Sequence, residues 1–81
     1  PMMRKPTTVL AFDFGASSGR AILGTLSDAG LQCEEIHRFE NSPIEKDGHL
    51  FWDLPTLWQE VNTALGNAAQ KGHFESVGVD T

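Results

Sequence analysis

The sequence predicts an α/β fold: three antiparallel strands, one helix, and then a strand parallel to the first. Three observations carry this. The apolar run Val9 to Phe12 stops at Asp13, passes through very small residues and ends at Arg20, reading "AFDFGASSGR" at its centre. Leu54, Leu57, Trp58, Val61, Ala64, Leu65 and Ala68 recur at helical spacing and fall on one face. Finally "SVGVDT", Ser76 to Thr81, is a second apolar run that ends at an acid.

The elements follow in chain order. Thr7 to Phe14 reads as a buried strand. Gly15 to Ser18 is a tight connection, and Arg20 to Leu26 is the second arm of a hairpin. "SDAG", Ser27 to Gly30, signals a turn. Leu31 to Glu40 is the third strand of a meander. Its apolar alternation runs through Leu31 and Cys33 and then slips to Ile36 and Phe39, which predicts a bulge near Glu34 and Glu35. Asn41 to Gly48, "NSPIEKDG", reads as a loop, and His49 to Trp52 as a short extended piece. The helix then begins, with Asp53 as N-cap, Trp52 stapled against Leu57, and Pro55 in the first turn where its missing N–H costs little. Lys71 and Gly72 mark its end. A right-handed crossover brings Ser76 to Thr81 parallel to the first strand. Asp13 and Asp80 then share one end of neighbouring strands, the end at which open α/β sheets bind ligands.

Composition narrows the function classes. With 81 residues, 40% of them apolar, the chain is one domain at most. It has no apolar run of about 18 residues for a membrane span. The start, "PMMRKPTT", has no secretory apolar core. Met2 or Met3 is the expected initiator, with Pro1 either a vector remnant or an artefact of numbering. A net charge of −5 with scattered Lys and Arg argues against nucleic acid as the main partner. Cys33 stands alone, with no disulfide partner and no metal-ligand spacing, which suits a reducing, cytoplasmic setting.

The opening stretch has the chemistry of an anion site. Gly15 and Gly19 give the backbone freedom and let a ligand come close. Ala16, Ser17 and Ser18 offer hydroxyls and unblocked N–H groups. Arg20 adds a fixed positive charge able to reach a phosphate. Asp13 at the strand end suits a hydrated magnesium ion, which one or two carboxylates and phosphates commonly hold. This is neither a Walker loop nor "GxGxxG". The competing reading is a plain hairpin whose small residues only make the turn.

Elsewhere the bland reading is preferred. His37 and Arg38 are expected on a solvated strand face. Trp52 and Trp58 are expected to serve core or domain packing rather than sugar stacking. Cys33 is expected to be a small buried hydrophobe. His49 and His73 have no partners at metal spacing. Asp80 is either a site residue or a turn former.

Four blocks carry a family resemblance: "DFGASSGR"; "EEIHRFEN", Glu34 to Asn41; "GHLFWDLPTLWQEV", Gly48 to Val61; and "SVGVDT". The first resembles the leading phosphate motif of the actin-like ATPase superfamily. In order, the four resemble the FGGY family of carbohydrate kinases, and within it the branch whose sugar is L-rhamnulose. The resemblance implies a partial ribonuclease H-like domain. Residues 1–81 would form the N-terminal part of the first kinase domain (phosphate-loop hairpin, third strand, helix, start of a fourth strand), with the rest of the kinase absent. It implies ATP and magnesium as cofactors. Gly15, Ala16, Ser17, Ser18, Gly19 and Arg20 match the loop for the ATP phosphates. Asp13 matches the acid that acts through magnesium and water, with Asp80 a second candidate metal residue. The catalytic base would lie beyond residue 81, so the parent chain would make L-rhamnulose 1-phosphate in rhamnose catabolism and these 81 residues alone would be inactive. The alternative is a non-catalytic nucleotide-binding or sugar-sensing module of the same superfamily; a filament-forming relative fits the later blocks poorly. With one helix to cover its sheet, the piece is expected to self-associate.

Overall fold

The computed structural model describes residues 5–81, so the expectations for Pro1, Met2 and Met3 lie outside the described residues. Strands β1 (Thr7–Phe14), β2 (Ser18–Ser27) and β3 (Gly30–Glu40) form an antiparallel meander. A small hairpin, β4 (Ile44–Lys46) and β5 (His49–Phe51), follows, then helix α1 (Leu54–Lys71) and strand β6 (Ser76–Asp80). The main sheet has the order β3-β2-β1-β6, with β6 parallel to β1 as expected for a helical crossover. Two bonds fix where β6 starts: Glu75 N–H donates to the Thr8 carbonyl at 2.8 Å, and Thr8 N–H donates to Glu75 Oε2 at 2.6 Å.

Strand alternation sends Leu10, Phe12 and Phe14 to the helix side of the sheet and Val9, Ala11 and Asp13 to the other. Leu10, Phe12 and Ala21 meet Ala64 and Ala68 of α1, and all five are buried. Two alanines on the helix let its axis come close to the aromatic floor. Burial of Leu10 and Phe12 contributes roughly 1.5–3 kcal/mol each. The helix N-terminus is capped as expected: Asp53 accepts from Thr56 N–H at 3.2 Å and from Thr56 Oγ1 at 2.7 Å. Its last turn closes where Gly72 N–H donates to the Ala68 carbonyl at 3.2 Å. Lys71 then reaches Glu34 on β3 at 2.8 Å.

The bulge falls beside Glu35, in the stretch that the slipped alternation marks. Ala21 pairs with His37 and Ile22 with Glu35, so Ile36 is the extra residue. Asn67 Nδ2 donates to its carbonyl at 3.3 Å, satisfying the group the bulge frees. Asn41 to Gly48 is not a plain loop. Asp47 (φ 55°) and Gly48 (φ 77°) form a two-residue turn between Lys46 and His49. Two left-handed residues in succession match the twist of a hairpin, and Asp-Gly is the pair that tolerates them.

Burial also departs from expectation. Cys33 is exposed, because it lies on the face opposite α1 beside Val9, Ile22 and Leu31, where nothing among the described residues covers it. His37 is not solvated: its Nε2 lies 2.6 Å from Glu60 Oε2, with both side chains largely enclosed between β3 and α1. Arg38 is exposed as expected and bonds to Glu35 at 2.6 Å. Trp52 and Trp58 are 51% and 65% exposed, so neither is core. The helix leans toward β3 and leaves a wedge beside β6, lined by both tryptophans with Phe14, Leu57 and Val79.

Gly19 is buried, and its reason differs from the one the sequence suggests. Its φ is not left-handed, and a Cβ there would run into the ring of Phe39. The ring instead stacks over bare backbone and meets Phe14 at a centroid distance of 5.9 Å. Gly19→Ala should therefore destabilise the chain by about 1–3 kcal/mol, as overpacking does. Urea unfolding checks it: in a Phe39→Leu background the same substitution should cost clearly less.

Candidate functional site

The hairpin between β1 and β2 is built from very little. Gly15 N–H donates to the Ser18 carbonyl at 2.8 Å, closing the turn around Ala16 and Ser17. A Cβ on Gly15 would stand 2.9 Å from that same carbonyl, so the close approach that requires glycine is made by the turn itself. As at Gly19, the backbone is not left-handed, which corrects the expectation of unusual conformations at both glycines. Ala16 and Ser17 are exposed, and no described residue accepts from their backbone N–H groups.

The underside of this loop is held by a residue that sequence reasoning did not single out. Asn41, immediately after β3, is the buried polar side chain among the described residues. Its Nδ2 donates to the Gly15 carbonyl at 2.6 Å, and its backbone N–H donates to the Ser17 carbonyl at 3.1 Å. An asparagine ending a strand signals a turn or cap. No spacing rule, however, links it to a loop 26 residues earlier.

The charged residues form one row across the sheet, on the face opposite α1. Register pairs Arg38 with Arg20, Arg20 with Asp13, and Asp13 with Asp80. Asp13 and Asp80 thus stand in register on neighbouring parallel strands, roughly 4.8 Å apart at the backbone. Arg20 does not extend freely toward a ligand here. Its Nη2 lies 3.2 Å and its Nε 3.4 Å from Asp13 Oδ2, with both side chains a little under half exposed. The guanidinium offsets one of the two carboxylate charges. Beyond it, the hydrogen bond from Arg38, opposed by desolvation and aided by the Arg38 and Arg20 charges, holds the Glu35 carboxyl below its ordinary value. Glu35 in turn raises Arg38. The row therefore runs from two cations on β3 and β2 to two carboxylates on β1 and β6.

Among the described residues no cluster of three or more His, Cys, Asp or Glu could hold a metal ion by itself. The donor set at the end of β1 and β6 is two carboxylates, hard oxygen ligands of the kind magnesium accepts. Such a pair fits an ion that also keeps water and phosphate oxygens, and it does not fit a closed all-protein cage. His49 lies on β5, and His73 pairs loosely with Glu75 at 4.0 Å.

No protein-family model matches the chain. It is similar to several curated proteins. A rhamnulokinase of Bacteroides thetaiotaomicron is 44% identical over 72 residues, covering 88% of this chain and 15% of that protein. Those of Oceanobacillus iheyensis and Halalkalibacterium halodurans are 42% and 47% identical over 73 residues, each covering 89% of this chain. The chain spans about 15% of the length of the relatives it matches. No helix among the described residues is long and apolar enough to cross a membrane. Over nearly nine-tenths of its length, the chain belongs by sequence to the rhamnulokinase family.

Proposed function

We propose that this chain is the N-terminal segment of an ATP-dependent kinase that phosphorylates L-rhamnulose to L-rhamnulose 1-phosphate. It would be the first part of a ribonuclease H-like domain and would work in the cytoplasm. The similarity of 40–47% to rhamnulokinases is the observation that carries this reading. The fold supports it, since the candidate loop lies at the carboxyl end of the parallel pair β1 and β6, where a nucleotide would be received.

In this reading Ala16, Ser17 and Ser18 meet the ATP phosphates through backbone N–H groups and hydroxyls, with Gly15 and Gly19 shaping the loop beneath. Asp13 is the residue that would hold magnesium, through water, and Asp80 stands beside it in register. Magnesium supplies neutralisation of phosphate charge when bound. Arg20 orients Asp13 in the resting chain and is within reach of the same charge. Phosphoryl transfer depends mainly on positioning and electrostatics, so residues of this kind contribute without themselves reacting. The base that takes the sugar hydroxyl proton lies outside these 81 residues in this reading.

In the full-length enzyme, Asp13→Ala should lower kcat by roughly a hundredfold or more while leaving the KM for L-rhamnulose near its original value. Arg20→Ala should raise the KM for ATP. Steady-state kinetics check both, and an unchanged kcat with Asp13→Ala removes that residue from the site. The isolated 81 residues should release no ADP in response to L-rhamnulose, because a closed cleft holding both substrates provides much of the barrier lowering. A coupled assay on the purified chain measures this directly.

The chain alone should also self-associate. Leu31 (67% exposed) and Leu26 (58%) lie on the uncovered sheet face, and Trp58, Leu54 and Val79 lie exposed along the wedge. Open apolar faces and a free strand edge favour pairing between chains. Light scattering over a dilution series should show a dimer or larger species; a folded monomer at micromolar concentration contradicts it.

A further inference from the structure

We infer that Asn41 is a positioning residue for the phosphate loop: it turns the Ala16 N–H toward a polyphosphate, and use of the nucleotide depends on it. The inference rests on the kinase reading above and assigns a role to a residue outside the small-residue motif.

The geometry is a consequence of peptide planarity. In a trans peptide the C=O and the following N–H point in opposite directions. Asn41 Nδ2 holds the Gly15 carbonyl at 2.6 Å, so the Ala16 N–H of that same peptide is turned away from Asn41. Asn41 N–H holds the Ser17 carbonyl at 3.1 Å, so the Ser18 N–H is likewise turned away. The Gly15 carbonyl drawn to Asn41 commits the Ala16 N–H to the opposite side, while the Ser18 N–H faces the β1 arm like the Ser18 carbonyl that accepts from Gly15. A donor committed in this way is what an anion-binding turn needs, and Ala16 is exposed to receive the ligand.

Asn41 can do this because it is itself fixed. It is 6% exposed and follows Phe39, whose ring is seated on the bare backbone of Gly19. Both ends of the loop are thus gripped by Phe39, near the end of β3, and by Asn41 just after it. With Asn41 removed, the Gly15 carbonyl loses its partner and the first peptide of the loop is free to flip. A flipped peptide presents an oxygen, not an N–H, to phosphate.

The test uses the full-length kinase. Asn41→Asp keeps the volume and removes the Nδ2 donor; Asn41→Ala removes the side chain. Each should lower kcat/KM for ATP by about ten- to a hundredfold, the range expected when a positioned group is misplaced, while the KM for L-rhamnulose stays within about twofold. Relative to wild type, the Asn41→Asp defect should shrink as pH falls from about 8 to about 5.5: burial against the Gly15 carbonyl raises the pKa of the new carboxyl, and its protonated form regains a donor for that carbonyl. The Asn41→Ala defect, relative to wild type, should be flat over that range. A loss of general stability would move the ATP and sugar parameters together and would show no such pH signature.

ATP kinetics within about twofold of wild type for Asn41→Asp, or a parallel loss for both substrates, would overturn the inference. Amide exchange in the unmodified enzyme separates the two readings. MgATP should slow exchange across residues 14–20 and at the Asn41 amide in step. If the loop is protected but Asn41 exchanges independently, the positioning role fails and the phosphate loop survives. If the loop is not protected at all, the phosphate-loop reading fails and this inference fails with it. The exchange result decides the matter even if neither variant folds.

Discussion

The end of β3 is seated on the β1–β2 hairpin, and this contact joins the loop to the sheet. Phe39 occupies the space that a side chain at residue 19 would need, and Asn41 reaches beneath the loop to hold two carbonyls. Neither contact forms unless β3 returns in the correct register after its bulge at Ile36. The bulge in turn sets His37 toward Glu60 on α1, which ties the third strand to the helix. The loop, the sheet and the helix are therefore joined through a few residues of one strand.

That arrangement explains why the hairpin is so sparing in side chains. Glycine at positions 15 and 19 is not there for rare backbone angles. At 15 it lets the turn close on itself, and at 19 it lets an aromatic ring lie on the backbone. Both choices let the loop pack closely on its own backbone and on the end of β3. A loop fixed by such contacts has few backbone conformations left to lose when it binds anything.

The helix side and the open side of the sheet have different characters. On one side, small residues of α1 meet Leu10 and Phe12 and complete a dry core. On the other, an apolar stripe runs from Leu26 and Leu31 past Ile22 to the charged row of Arg38, Arg20, Asp13 and Asp80. The wedge beside β6 adds a second uncovered apolar surface containing two tryptophans. The pattern that marks Trp58 and Leu54 as inward-facing on a helix is correct in period, yet the helix leans toward β3 and its stripe is wider than the surface it meets.

The order of strands and helix, the N-cap at Asp53, the parallel return of β6 and the juxtaposition of Asp13 with Asp80 are all legible in local sequence. Those features follow from apolar periodicity and local turn chemistry, which act over a few residues and leave a readable trace. The β4–β5 hairpin was also legible in Asp47 and Gly48, although the proline and polar residues around that pair suggest a loop. Tertiary structure alone decided the exposure of Cys33 and Trp58, the pairing of His37 with Glu60, the Arg20–Asp13 contact and the grip of Asn41 on the loop. Each depends on which face of a sheet a helix covers, or on a partner many residues away. Side-chain alternation says that a strand has two faces; only packing says which of them is filled.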